Sequence, residues 1–186
     1  MRTNNFLKLV IAIAVSEFAG IIGSAFTISA ITGWYADLIK PTFNPPAWAF
    51  GPVWTALYAL IGISFFLVWS FDFAQDKKQH SNTLQNMRML WRWRIGVVAF
   101  FVQLSLNAFW SIIFFGLQSP GWALVDIIAL LFAIVWTMIV FYKISPPSSS
   151  WWTTAGHGKL AAYLLVPYIL WVSFASYLNY SIWMLN

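Results

Sequence analysis

The sequence predicts an all-α integral membrane protein, a five-transmembrane-helix bundle, and three observations predict it. Of its 186 residues, 61% are hydrophobic and only 8% are charged, where a soluble domain carries charge on about a quarter of its residues. The apolar residues come in repeated runs of about 20, each long enough to cross a ~30 Å hydrocarbon layer as a helix. Aromatic residues make up 20% of the chain, 13 of them tryptophan, and such rings anchor helix ends where lipid meets water. A surface of this composition would aggregate in water, so its solvent is lipid. The helices then have only one another as partners, which makes residues 1–186 one domain.

The first span is expected from about Phe6 to Ile31. Its start is charged, but the apolar run is too long for a signal peptide and reads as a retained helix. Ala12, Ser16, Gly20 and Ser24 recur every four residues, with Ala19 and Gly23 beside them. Such a stripe lets helix backbones approach closely, and packing within the monomer, against Gly62 and Ser64, is the expected use. A loop follows, about Thr32 to Ala49, and then a second span, about Phe50 to Phe71. Pro41, Pro45, Pro46 and Pro52 fix φ through this region, so it holds its shape without a sheet or helix to brace it.

The polar stretch Asp72–Arg94 leads to a third span, about Ile95 to Leu117, turned by Gln118, Ser119 and Pro120. The fourth, about Gly121 to Ile144, ends at Ser145-Pro146-Pro147. The fifth, about Lys159 to Leu185, contains Pro167, which predicts a kink and a freed carbonyl near Tyr163 or Leu164. With five spans, Arg2, Lys8, Lys77, Lys78, Arg88, Arg92, Arg94, Lys143 and Lys159 fall on the N-terminal side, and only Lys40 falls opposite. The bias of cations toward the cytoplasm therefore puts the N-terminus inside and the proline-rich loop outside, in a bacterial inner membrane. The net charge of +5 has the same cause, and no nucleic-acid partner is expected.

The chain has no cysteine, and its two histidines, His80 and His157, fall in the polar connections. This excludes disulfides and cysteine nucleophiles, and no His/Asp/Glu cluster has metal-ligand spacing, so neither a metal nor a cofactor is expected. Phosphate-binding and serine-hydrolase motifs are missing as well. Polar groups inside the spans each need a reason. Glu17 reads as a protonated or hydrogen-bonded helix contact, ahead of a ligand or proton site. Asp126 reads as a wet residue or a helix-terminal charge, and Gln103, Asn107 and Asn179 as hydrogen-bonding bridges between helices.

The tryptophans exceed what two interfacial belts use. Trp34, Trp48, Trp69, Trp91, Trp93, Trp151, Trp152 and Trp183 suit the belts, whereas Trp54, Trp110, Trp122 and Trp171 lie nearer the middle of the membrane or next to the loop. Singly, each is best explained as packing. Together, under a rigid aromatic loop, they argue for a cavity between helices that takes a planar apolar ligand. Indoles stack on porphyrins and can be oxidised, so binding and redox chemistry are both open to such a cavity. Axial haem ligation is not: no histidine or cysteine lies in a span, and Met138 and the tyrosines lack a partner.

The segment Trp34–Tyr58 resembles the first loop and second helix of the TspO/TSPO family of tryptophan-rich sensory or translocator proteins. Further matches are Gly20 to Phe26, Leu106 to Trp110, Phe114-Phe115-Gly116, Gly121 to Asp126, Pro167 to Trp171 and Leu178-Asn179-Tyr180. They fall in order across all five spans and leave out the Asp72–Arg94 connection. The resemblance implies a five-helix membrane bundle, often a homodimer, that binds porphyrins such as protoporphyrin IX, and also sterols and synthetic drugs. It implies light- and oxygen-dependent porphyrin degradation by pocket tryptophans, here Trp54 and Trp171. By the same carry-over Asn107, Trp110, Trp122 and Ala175 line the cavity, and Trp34 and Trp48 lie in its lid. One departure is that no cation follows Leu178-Asn179-Tyr180, so the loose cholesterol motif of animal members is incomplete.

Three functions follow in order of support. The first is a porphyrin receptor or sensor with photo-oxidative activity. The second is a tetrapyrrole or sterol transporter, against which stand the absence of an evident inverted repeat and of a charge relay across the bundle. The third is an assembly protein with no small ligand.

Overall fold

The computed structural model describes residues 5–70, 83–144 and 157–186. Its elements are α1 (Asn5–Ile31), the short α2 (Trp34–Asp37), α3 (Ala47–Trp69), α4 (Thr83–Ser111), α5 (Pro120–Ile144), α6 (His157–Leu164) and α7 (Val166–Leu185). Among the described residues, five helical stretches are long and apolar enough to cross a membrane, α6 and α7 together making the fifth. Lys77, Lys78, His80, Pro146, Pro147, Trp151 and Trp152 lie outside the described residues.

The boundaries differ from expectation where local chemistry outweighs polarity. Helix α3 begins at Ala47, earlier than expected, because Pro46 adopts the extended conformation of a cap (φ −61°, ψ 144°) and helix follows at once. Helix α4 begins at Thr83, well inside the polar connection. Arginine, methionine, leucine and glutamine are good helix formers, and no glycine or proline interrupts the run before Gly96. His157, expected in a connection, is the first residue of α6. The fifth span is interrupted next to Pro167: Leu165 separates α6 from α7, its N–H reaching back three residues to the Ala162 carbonyl at 3.2 Å, and Pro167 sits in the first turn of α7.

The end of α4 widens into a π-helical turn over Ile112–Gly116. The Leu117 N–H donates to the carbonyl of Ile112, five residues back, at 2.8 Å. This wider turn places one extra residue in the helix, a device common near functional sites. Gln118 then takes a positive φ of 51° and reverses the chain, and Pro120 opens α5.

The small-residue stripe of α1 packs within the monomer. Ala12, Ser16, Ala19 and Gly23 are buried, and Gly62 of α3 lies so close that a Cβ there would sit 2.6 Å from Ile13 Cα. Ser64 also crosses helices, donating to the Ala161 carbonyl at 2.8 Å. Around these contacts the core is filled by aromatic rings. Phe65 and Phe100 stack at 4.0 Å, and Trp69 lies 5.9 Å from Phe65, serving the core as well as the helix end. The outer surface is apolar: Phe18, Ile21, Phe132 and Leu170 are each more than 60% exposed, as lipid-facing residues are.

Two of the three expected bridges form. Asn107 accepts from the Tyr58 hydroxyl and donates to the Tyr168 hydroxyl at 3.0 Å, joining α4 to α3 and α7. Asn179 accepts from Trp110 Nε1 at 3.0 Å and donates to the Pro120 carbonyl at 2.7 Å. Gln103 is buried, yet neither its amide oxygen nor its nitrogen has a partner, so it is not a bridge. Asp126 lies more than a turn inside α5 and is half-buried, with its Oδ2 buried and without a partner.

Candidate functional site

The loop half of the bundle encloses a cavity of about 460 Å³, within the usual range for small-molecule sites. Four spans and the loop build it. Helix α1 contributes residues from Glu17 to Ile31, α3 from Ala47 to Tyr58, α4 and its π turn from Trp110 to Phe115, and α7 from Ala175 to Ile182, with Tyr35 and Asn44 from the loop. Glu17 and Tyr58 mark the end farthest from the loop.

The space has specific causes. Gly20 lacks the Cβ that would overlap the Tyr58 ring, and Gly23 lacks one that would lie 2.9 Å from Ser111 Oγ. Aromatic residues can therefore sit against the backbone of α1. The π turn brings consecutive rings to bear: Phe114 stacks on Trp110 at 5.2 Å and meets Phe115 edge-on at 4.8 Å. Ile21, Ile28 and Trp48 line the cavity and are also 62%, 70% and 76% exposed. The cavity thus opens sideways between α1 and the start of α3, toward lipid.

The loop is held from several directions. The Tyr35 hydroxyl donates to Asn44 Oδ1 at 3.1 Å, and the Ile39 N–H donates to Asn186 Oδ1 at 2.9 Å while Asn186 Nδ2 donates back to the Ile39 carbonyl at 3.1 Å. Phe43 stacks on Tyr177 of α7 at 5.1 Å. Lys40 turns its ammonium onto the Ala36 and Leu38 carbonyls and over the Tyr35 ring. Burial pushes the Tyr35 phenol above its ordinary pKa, partly offset by the bond to Asn44, so this fastening keeps its proton.

Of the residues expected at the site, Trp48, Trp54, Trp110 and Ala175 line the cavity. Trp54 meets Tyr58 at 5.6 Å and Tyr168 at 6.4 Å. Trp34 stands behind the wall, edge-on to Phe114 at 5.8 Å. Asn107 lies one layer deeper, holding the Tyr58 hydroxyl. Trp171 is one ring removed, packed edge-on against the cavity residue Phe50 at 6.0 Å, with no acceptor for its buried indole N–H. Trp122 does not line the cavity: it is 72% exposed, because its place in the first turn of α5 points it away from the buried face of Ala123 and Ile127.

Tyr58, Phe114, Phe115 and Tyr35 were not singled out from the sequence. For Tyr58 a signal existed, since it follows Trp54 by four residues and shares its helix face. For Phe115 there was none, because regular helical spacing does not foresee a π turn.

Comparison with known proteins fits this architecture. The pattern of the TspO/MBR family matches residues 12–184. A tryptophan-rich protein TspO of Archaeoglobus fulgidus is 41% identical over 182 residues, covering 98% of this chain and 99% of that protein. Its namesake from Chlorobaculum tepidum is 41% identical over 180 residues, covering 97% and 96%. The human translocator protein is 35% identical over 162 residues, covering 87% of this chain and 80% of its own. Five apolar spans, an aromatic cavity beneath a proline-rich loop and a match across nearly the whole length lead to one conclusion: the chain is an integral membrane protein that belongs to the TspO/MBR family.

Proposed function

We propose that the protein is a membrane receptor or sensor that binds porphyrins, protoporphyrin IX among them, and other planar apolar ligands in the cavity between α1, α3, α4 and α7. The observation that carries this reading is the cavity itself, about 460 Å³ in volume and walled by Trp48, Trp54, Tyr58, Trp110, Phe114 and Phe115. Ring faces of this number favour a flat aromatic guest over a flexible chain. The lateral mouth suits a guest that arrives from lipid.

Light- and oxygen-dependent degradation of the bound porphyrin belongs to the same reading, with Trp54 as the indole in reach of the guest. Trp171, behind Phe50, acts at one remove. Asn107 keeps Tyr58 in place, and Trp34 backs the wall through Phe114. Membership of the family and the notion of a translocator also keep tetrapyrrole or sterol transport as the alternative function. The protein is further proposed to work as a homodimer, with its N-terminus in the cytoplasm of a bacterial cell. Lys8, Arg88, Arg92, Arg94, Lys143 and Lys159 support that orientation, since they gather at the end opposite Lys40.

Titration of protoporphyrin IX into purified protein in the dark, followed by tryptophan quenching, tests the binding claim, with saturable quenching as the expected result. Illumination then tests the chemistry. Bleaching that slows in Trp54→Phe/Trp171→Phe, with folding intact, is the outcome expected, and equal bleaching in wild type and double variant removes the degradation claim while leaving the receptor. Flux of porphyrin across proteoliposomes would favour the transporter instead.

A further inference from the structure

Among the residues that line the cavity there is one carboxylate, Glu17, and no lysine, arginine or histidine. Glu17 lies near the middle of α1, about 18 Å along the axis from Asn5, at a depth where an ionisable group is costly unless something uses it. It shares a face with Gly20, three residues on, whose bare Cα admits the Tyr58 ring. The carboxylate and the phenol therefore share the inner end of the cavity. They do not satisfy each other, because the Tyr58 hydroxyl gives its proton to Asn107 Oδ1 and Asn107 in turn donates to Tyr168. Glu17 is itself half-buried, and it lines the same cavity as the rings of Trp54 and Tyr58.

A carboxylate in the wall of an aromatic cavity is the chemistry that recognises a cationic or N–H-bearing nitrogen: the rings favour the positive charge and the carboxylate completes the pairing. We propose that Glu17 is a specificity-determining residue, selecting planar ligands that carry a protonated amine or similar nitrogen on the edge that meets α1, and turning acidic groups toward the loop. This rests on the reading of the cavity as a site for planar apolar ligands. Under it, protoporphyrin IX binds with its carboxylate edge toward Asn44 and the loop and its other edge toward Glu17.

Three probes with one macrocycle test this: protoporphyrin IX, its neutral dimethyl ester, and its bis-amide carrying two tertiary-amine tails. Each is titrated by tryptophan quenching into wild type, Glu17→Gln and Glu17→Asp in the same non-ionic detergent. The amine probe is expected to bind wild type about tenfold tighter than the ester, the scale of one charge-assisted hydrogen bond. In Glu17→Gln this preference should fall to within about threefold while ester affinity stays put, showing the cavity intact. Glu17→Asp, which keeps the carboxylate, should retain part of the preference. An amine-to-ester ratio that is the same in wild type and Glu17→Gln overturns the role of Glu17 and leaves the cavity reading standing. Failure of all three probes to saturate wild type overturns the cavity reading, and this inference with it.

Discussion

The half of the bundle around Phe65 and Phe100 is solid, whereas the half next to the proline-rich loop is hollow, although the same spans build both. In the solid half, α1 and α3 touch backbone to backbone at Gly62 and Ile13, Ser64 ties α3 to α6, and two phenyl rings stack at 4.0 Å. In the hollow half rings stand between the helices, Tyr58 of α3 against Gly20 of α1 and Phe26 of α1 against Gly116 at the end of α4. Glycine thus serves opposite ends. At Gly62 it lets two backbones meet, and at Gly20 it seats an aromatic wall. Composition does not separate the halves, and what lies opposite each glycine does.

This contrast can be broken most severely at Phe100. Phe100→Ala removes a fully buried ring and should cost about 3 kcal/mol, the low end for such truncations, because lipid supplies little transfer energy and the cavity term remains. A large fall in the Tm of the detergent-solubilised protein would show it. Asn107→Ala should come next, at roughly 2 kcal/mol, since it strands the hydroxyls of Tyr58 and Tyr168 in the layer between the halves. Gly62→Val forces a side chain into the α1 backbone and should cost about 1–3 kcal/mol, read from the same melts.

The hollow half should answer differently. Trp54→Phe is expected to leave Tm nearly unchanged while weakening porphyrin binding several-fold, by exchange of the indole face for a smaller phenyl one, a difference of about 1 kcal/mol. A fall in Tm as large as that of Phe100→Ala would show that the two halves are equally structural. The smallest effect belongs to Trp122→Phe, which should alter neither melting nor ligand titration, because that ring faces outward. Weakened binding in this variant would place the site elsewhere.

Most of the fold was legible in the sequence because lipid leaves a chain few choices: apolar runs become spans, and small-residue stripes become close contacts. Within the site, Trp48, Trp54, Trp110 and Ala175 lie in the wall, and each is on a helix whose phase is regular. Trp122 and Gln103 were misplaced for a shared reason. A single sequence gives the period of a helix but not its rotation, and so it cannot say whether an indole faces lipid or whether a buried amide meets a partner. The reach of α4 into the polar connection was hidden because charge was taken to end the helix, whereas only glycine, proline or capping chemistry would have done so. Phe115 was hidden by the π turn, whose extra residue shifts every later position by about a quarter turn.

The contact at Gly62 also sets a mechanical scale. Where α1 and α3 meet backbone to backbone, at Gly62 and Ile13, a tilt of one helix against the other finds its pivot. Gly51, near the start of α3, lies eleven residues from that pivot, a lever arm of about 16 Å. A tilt of only about 5° about the pivot then moves that end of α3 by roughly 1.4 Å, close to the radius of a water molecule. Leverage of that kind widens the opening by a useful amount while the solid half, at the short end of the lever, barely stirs.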